Sequence, residues 1–284
     1  MTENGIIHEY FMLYNEKGEP IRGDLRFQRT LEEKPVIIVC HSFMAFKDWG
    51  FFPFIADRLA NPGYIALSFN FSHDGVMGDG DRITEFGKFE RNTFSKELDD
   101  LRVVIDEVWS GQIGGGIIDR SKIILLGHSR GGGIALLHAS VNALVKGLIT
   151  WSTIDTFDRW TQHQKEKWKN LGFLPLVKDS SVSPLKLGID LLKDLENNRV
   201  KLDLKTAASR IQIPWLLLHG KTDVTVPPHE SENLFAAANK SMADLILLDH
   251  VGHLYSAATR DEDNYQTLNK IIDLTIKWIQ QNIK

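Results

Sequence analysis

Ser129 lies in a sequence context that could make it a nucleophile. The segment G-H-S-R-G at 127–131 follows the apolar run 122–126 and precedes the apolar helical run 134–139. This is a G-x-S-x-G turn between a strand and a helix, in which small neighbours let the backbone present the serine at the sheet edge. The pattern also arises by chance, and a glycine-rich turn can instead hold a phosphate. The serine therefore needs partners before it indicates a reaction.

A serine hydroxyl attacks a carbonyl readily only when a histidine accepts its proton and a carboxylate orients that histidine. Two later apolar runs end in suitable residues. One leads through the segment H-G-K-T to Asp223, and the other leads through a short loop to Gly252-His253. Three strand ends in the order Ser129, Asp223, His253 can meet at one edge of a parallel sheet. We predict Ser129 as nucleophile, His253 as general base and Asp223 as the acid that orients it.

Other residues compete for these roles. His250 abuts the end of its strand, whereas His253 follows a glycine within the loop, so we favour His253. Asp249 competes as the acid, but it would have to fold back across its own loop. Three further histidines lie beside strand ends or the nucleophile, and we interpret them as structural: His41, His128 and His219.

The elements that position these residues follow from the periodicity of the chain. Stretches 97–109 and 265–283 carry apolar residues at helical spacing. Residues 6–27 surround a Gly-Glu-Pro turn signal and predict an antiparallel edge hairpin. Strands alternating with helices predict an α/β fold with a mostly parallel sheet flanked by helices. The runs predicted as buried strands are 36–40, 64–69, 122–126, 144–150, 214–218 and 245–248.

Residues 152–205 break this alternation. They hold many charged residues together with Trp160 and Trp168, and they contain no clear strand. A long segment after a core strand predicts a small cap insertion over a pocket. The two tryptophans would then bind substrate, although they could equally form the core of the insertion itself.

Composition limits the classes of function. With 284 residues and 43% hydrophobic content, the chain is expected to form a single domain spanning 1–284. A net charge of −4 does not favour nucleic acid as a partner, and no run is long enough to cross a membrane. A single cysteine excludes an intrachain disulfide, and residues 1–10 lack the pattern of an export signal, so we expect a cytoplasmic protein.

Two other features could suggest different chemistry. Cys40 ends an apolar run and is interpreted as a small buried hydrophobe rather than a nucleophile. Residues 72–81 collect a histidine and several carboxylates, but without the fixed spacing of a metal site. We interpret that segment as a polar loop and expect no metal.

The motifs G-H-S-R-G at 127–131, H-G-K-T-D-V-T-V-P at 219–227 and G-H at 252–253 together resemble the α/β-hydrolase superfamily. The resemblance runs from about Val36 to the C-terminus and is nearest to the dienelactone-hydrolase-like and cinnamoyl-esterase-like serine hydrolases. It implies an oxyanion hole made by the amides of Phe43 and Arg130. The amide of Arg130 is also expected from its place at the start of a helix. Ser42 stands where the family usually has glycine.

These observations predict a serine hydrolase that cleaves small or aromatic carboxylic esters through an acyl-enzyme, without a cofactor. The expected partner is a small-molecule ester. Two alternatives stay open: a peptidase of the same fold, and a non-catalytic ligand-binding protein that retains the fold.

Overall fold

The computed structural model describes residues 5–78, 80–176, 185–257 and 265–283. Within these ranges the strands are β1 (Ile6–Tyr14), β2 (Pro20–Gln28), β3 (Lys34–Cys40), β4 (Ile65–Phe69), β5 (Ile118–His128), β6 (Val145–Trp151), β7 (Phe173–Pro175), β8 (Lys186–Gly188), β9 (Trp215–Gly220) and β10 (Ala243–Leu248). The helices are α1 (Phe52–Ala60), α2 (Phe86–Glu90), α3 (Phe94–Ser110), α4 (Arg130–Ala139), α5 (Gln162–Leu171), α6 (Ile189–Asn197), α7 (Leu204–Arg210), α8 (His229–Ala237) and α9 (Gln266–Asn282).

Eight strands form one sheet in the order β1-β2-β4-β3-β5-β6-β9-β10. The hairpin β1–β2 is antiparallel and joins β4 in antiparallel pairing, while the remaining neighbours are parallel. The predicted mostly parallel sheet and edge hairpin are therefore confirmed. Parallel pairing places the carboxyl ends of β3, β5, β9 and β10 at the same edge of the sheet.

Both faces of the sheet are covered, because alternate residues of each central strand enter different cores. In β5, Ile123 and Leu125 pack in one apolar cluster, and Ile124 and Leu126 pack in the other. Helices α3 and α4 contribute to the first cluster, and α1 and α9 contribute to the second. This burial explains why the central strands are uninterrupted apolar runs rather than alternating ones.

Helix α3 has a capping residue at each end. The Thr93 hydroxyl accepts a hydrogen bond from the Lys96 amide at 3.2 Å, and Gly111 ends the helix with φ of 83°. The predicted helical stretch 97–109 is confirmed inside these limits. Across the described ranges, no helix combines the length and apolar character needed to cross a membrane.

Residues 152–205 contain α5, the two-stranded sheet β7–β8, α6 and the start of α7, and residues 177–184 of this segment lie outside the described residues. Strands of three residues are too short to give a periodic signal, which is why that small sheet is not predicted from sequence. Several polar contacts fix the segment to the main domain. The Ser95 hydroxyl donates to Asp194 at 2.6 Å, and Arg159 pairs with Glu230 at 2.7 Å.

Candidate active site

The nucleophile candidate lies on a sharp turn between β5 and α4. Ser129 has φ of 56° and ψ of −120°, a conformation that costs energy in a residue with a side chain. Its amide donates to the carbonyl of Trp151 at 2.9 Å, which fixes the turn to β6. Ser129 is also the residue that precedes α4, so the first free amides of that helix surround it.

The glycines on either side are required by close backbone approach. A Cβ atom on Gly127 would lie 2.4 Å from the carbonyl oxygen of Gly131. A Cβ atom on Gly131 would lie 2.4 Å from the carbonyl oxygens of both Cys40 and His41. The turn is therefore packed directly against the end of β3, which no larger residue would allow.

His253 connects the serine to a carboxylate. Its Nε2 lies 3.1 Å from the Ser129 hydroxyl, and its Nδ1 lies 2.7 Å from Oδ2 of Asp223. Because a carboxylate accepts, Nδ1 carries the proton and donates, which leaves Nε2 free to accept from the serine. The three residues predicted from separate strand ends are brought together in hydrogen-bonding order.

The Asp223 carboxylate is held on both oxygens. Oδ1 accepts from the amides of Thr225 and Val226, each at 2.9 Å, and Oδ2 accepts from His253. Burial alone would raise the pKa of Asp223, but the N–H groups of His219 and His253 and the Val226 amide outweigh it. They hold the pKa well below its usual range, so the group stays ionised.

His219 is a second histidine beside this carboxylate. Its Nε2 donates to the carbonyl of Val226 at 2.8 Å and lies 3.3 Å from Oδ2 of Asp223. Its Nδ1 is 2.6 Å from the Ser231 hydroxyl, which donates to it. From the sequence alone, His219 is interpreted as a structural histidine. Its position four residues before the acid, at the end of the same strand, was the available signal that it supports Asp223.

His128 is buried, whereas His250 and Asp249, the alternative candidates for base and acid, are exposed. His128 is fully buried, and its Nε2 donates to the carbonyl of His253 at 3.0 Å, which fixes the loop of the base. Burial lowers the pKa of His128 to about 3, and the nearby His253 adds to the effect. His250 is exposed, and Asp249 is exposed and paired with Lys221 at 2.8 Å. Neither rival joins the hydrogen-bonded group around Ser129.

The residues of the expected oxyanion hole come from two segments. Phe43 follows the end of β3, and Arg130 opens α4. Ser42 is buried, and the left-handed residue of this turn is Met44, with φ of 59°. Ser42 does not have a positive φ, so a serine there in place of glycine causes no backbone strain.

His41 fixes the end of β3 that leads into this turn. Its Nε2 accepts from the amide of Phe71 at 3.3 Å, so its Nδ1 carries the proton and donates to the carbonyl of Ser42 at 3.0 Å. Burial lowers the pKa of His41 to about 4, which keeps the ring neutral. The interpretation of His41 as a structural histidine agrees with these contacts.

The two tryptophans expected to bind substrate lie in different environments. Trp168 is fully buried and packs edge to face against Trp160, with ring centroids 5.1 Å apart. A fully buried side chain offers no surface to a substrate, so Trp168 belongs to the core of the insertion and its expected substrate contact is corrected. Trp160 is half-buried and keeps the accessible surface that such a contact needs.

Two other features considered for chemistry are Cys40 and the segment 72–81. Cys40 is fully buried, and burial raises the pKa of its thiol far above the usual value, which keeps it unreactive. In the segment 72–81, Asp79 lies outside the described residues. Within the part of the chain that the structure describes, no group of three or more histidine, cysteine, aspartate or glutamate side chains is arranged to hold a metal ion.

Comparison with known proteins shows the family of this chain. A family model described as an alpha/beta hydrolase family matches residues 37–263. No curated protein matches the sequence. Among solved structures, the chain is similar to the esterase domain of a Rhodothermus marinus protein, with a TM-score of 0.66, 20% identity, and 98% of this chain and 100% of that one covered.

Two further structures show the same fold. The alpha/beta hydrolase GrgF from Penicillium sp. sh18 has a TM-score of 0.73 at 16% identity, with 98% of this chain and 99% of that one covered. A puromycin-hydrolyzing peptidase of Mycobacterium tuberculosis has a TM-score of 0.70 at 17% identity and covers the whole of this chain, which spans 40% of that protein. At these identities the likeness shows the fold alone. The family model covers most of the sequence, and the chain therefore belongs to the alpha/beta hydrolase family.

Proposed function

We propose that this chain hydrolyses carboxylic esters of small molecules through an acyl-enzyme formed on Ser129. The observation that carries the proposal is the pair of hydrogen bonds from the Ser129 hydroxyl to His253 and from His253 to Asp223, at 3.1 and 2.7 Å. Family membership supports hydrolytic chemistry, and one structural neighbour is described as an esterase domain.

The first half of the proposed reaction forms the acyl-enzyme. Oγ of Ser129 attacks the ester carbonyl while Nε2 of His253 takes the hydroxyl proton, and Asp223 stabilises the resulting imidazolium. The amides of Phe43 and Arg130 donate to the tetrahedral oxyanion. The intermediate then collapses, the bond to the alcohol oxygen breaks, and His253 passes its proton to that leaving group.

The second half releases the acid. A water molecule enters where the alcohol left, His253 takes one of its protons, and the remaining hydroxide attacks the acyl carbon. Collapse of this second intermediate breaks the bond to Oγ, and the proton on His253 returns to Ser129. The cycle balances as one ester and one water molecule giving one acid and one alcohol, with Ser129 and His253 returned to their starting states. Trp160 is the candidate contact for an aromatic acyl group, since its ring keeps accessible surface.

Peptide cleavage is the second candidate, because the same nucleophile and base can attack an amide. The neighbour described as a peptidase favours it to a limited degree, since this chain spans only 40% of that protein. A non-catalytic ligand-binding role is less well supported. Such a protein would have no need for a strained Ser129 held in hydrogen-bonding order with two partners.

The test is turnover of p-nitrophenyl acetate by the wild-type chain and by Ser129→Ala. We expect kcat/KM to fall by about 10⁴-fold or more, because the nucleophile is lost while binding remains. Ser209→Ala is the matched control, since this exposed serine donates only to the carbonyl of Thr206, at 2.8 Å. Activity of Ser129→Ala within a few-fold of wild type would exclude the proposal. Faster turnover of an aminoacyl p-nitroanilide than of the ester would favour the peptidase instead.

A further inference from the structure

The side chain of Arg130 makes a buried ion pair beside the nucleophile. Its Nε donates to Oε2 of Glu97 at 3.1 Å, and its Nη2 lies 2.8 Å from Oε1 of the same carboxylate. The side chains are 9% and 7% exposed, so water scarcely reaches the pair. A buried ion pair is expensive to desolvate, and an apolar pair of similar volume often serves stability as well. Its place next to Ser129 therefore calls for a functional explanation.

Two aromatic rings enclose the same guanidinium. Its central carbon lies 4.5 Å from the ring centroid of Phe94, in α3, and 5.0 Å from the ring centroid of Phe43. Both distances are within the range of a cation–π contact. The Phe43 ring also packs against Phe89, with centroids 5.9 Å apart. The side chains of the two residues that supply the expected oxyanion amides are thus in direct contact with each other.

Glu97 is itself held in place. The side-chain amide of Asn92 donates to Oε1 at 2.7 Å, and Glu97 lies in the first turn of α3, which Thr93 caps. Burial raises the pKa of Glu97, while Arg130 and Asn92 act in the opposite direction. The carboxylate therefore anchors the guanidinium to a rigid helix and not to a loop.

The backbone also joins the two segments that carry these amides. Strands β3 and β5 pair as far as Cys40 and Gly127, and Gly131 packs on the carbonyl oxygens of Cys40 and His41. Phe43 lies beyond these contacts, and its ring against the Arg130 guanidinium is a further contact between the segments. An oxyanion hole needs both donors within about 2.7–3.1 Å of the oxyanion, so a contact between the side chains of Phe43 and Arg130 helps to keep their amides at that spacing.

We propose that Phe43, Phe94, Glu97 and Arg130 form an oxyanion clamp, which holds the amides of Phe43 and Arg130 at the spacing needed to stabilise the transition state. The proposal rests on the proposed ester hydrolysis at Ser129. Glu97, Phe94 and the Arg130 guanidinium act as positioning groups and do not touch the reacting atoms. The rival explanation is that Arg130 binds a substrate carboxylate, but its charge is already paired with Glu97, to which Nε donates and from which Nη2 lies 2.8 Å away.

The test removes the ion pair without leaving an unpaired buried charge, through the double variant Arg130→Met with Glu97→Gln. Thermal unfolding and circular dichroism establish that it folds. We expect kcat for p-nitrophenyl esters to fall by about 10- to 100-fold with KM nearly unchanged, because the lost interaction acts in the transition state. The inhibition constant of a phenylboronic acid, which forms a tetrahedral adduct on the serine, should rise in parallel.

The control is Arg102→Met with Asp106→Asn, which removes an exposed arginine–carboxylate pair of 3.2 Å from the same helix α3 and should leave kcat unchanged. Phe43→Leu provides a second test that keeps the ion pair, with an expected fall in kcat of about 10-fold.

Wild-type kcat and boronate affinity in either Phe43→Leu or the folded double variant would overturn the clamp. So would unchanged kcat with a raised KM, because that result assigns Arg130 to substrate binding. Failure of the ester proposal itself is distinct, since it shows as Ser129→Ala retaining wild-type activity.

Discussion

The two sides of Ser129 are built from different kinds of contact. On the base side, His253 and Asp223 are fixed by hydrogen bonds, several of them with backbone groups. On the oxyanion side, the segments of Phe43 and Arg130 are fixed by close packing at Gly131, by aromatic rings and by an ion pair with α3. The base side depends on directional hydrogen bonds, of which His253 to Asp223 and His128 to the carbonyl of His253 join segments 30 and 125 residues apart. The oxyanion side depends on close packing and on charge.

The largest effect is expected on the base side, from His253→Ala. Loss of the group that accepts the serine proton should lower kcat/KM for p-nitrophenyl acetate by about 10⁴-fold or more. His250→Ala is the control, because this histidine is exposed and makes no contact with Ser129 in the described structure. Equal losses in the two variants would show that the base has been misassigned.

On the oxyanion side, Gly131→Ala should have the next largest effect. Its new Cβ would lie 2.4 Å from two carbonyl oxygens of β3, so the turn must move, and a displacement near 1 Å costs about 100-fold in rate. Gly252→Ala is matched to it, since the nearest atom to a Cβ there is 4.0 Å away although the residue adjoins His253. Steady-state kcat and KM for p-nitrophenyl acetate, measured on both variants, test this prediction. An active Gly131→Ala would mean that the oxyanion side tolerates movement.

A smaller effect is expected from His219, which tests whether the acid needs support from a second histidine. His219→Leu removes the N–H that donates to Val226 and lies 3.3 Å from Asp223, and kcat should fall by about 10-fold, as for one hydrogen bond to a charged group. His219→Gln can place an N–H at a similar position and should recover part of the loss. If His219→Leu and His219→Gln lose kcat equally, loss of this hydrogen bond does not explain the fall.

The smallest effect concerns pH and His128. In the unfolded chain a histidine binds a proton below about pH 6.5, whereas burial lowers the pKa of His128 in the fold to about 3. The unfolded state therefore binds more protons between these values, and stability falls as the pH drops from about 6.5 towards 3. His128→Asn should reduce the decrease in melting temperature between pH 7 and pH 5 by a few degrees. A decrease in His128→Asn as large as that of the wild type would contradict this prediction.

Much of the fold could be predicted because the central strands are buried on both faces. Such strands appear as unbroken apolar runs, and all six predicted ones are found, as β3, β4, β5, β6, β9 and β10. Asp223 and His253 could be located because each follows a strand end within a short, recognisable loop. The insertion was harder to predict, because its β7–β8 strands have three residues each and the burial of Trp168 depends on how α5 packs.

The oxyanion side could be predicted only in part. Glu97 falls in a correctly predicted helix, but its partner Arg130 is 33 residues away, and helical periodicity does not reveal such a contact. For Ser42 the sequence suggests more than the structure shows. The residue differs from the glycine usual in the family, but the residue with positive φ in this turn is Met44, so serine causes no backbone strain. The contact between Asp223 and His253 could be inferred over 30 residues because both belong to motifs, whereas the contact between Glu97 and Arg130 belongs to no motif and needs coordinates.

The central claim is that Ser129 is the residue that becomes acylated. Labelling the wild-type chain with a fluorophosphonate and locating the adduct by peptide mass spectrometry tests it most directly. The account predicts one adduct per chain, on Ser129, with slower labelling in His253→Ala and none in Ser129→Ala. An adduct on another residue, or no adduct on a folded and ester-hydrolysing wild-type chain, would contradict it.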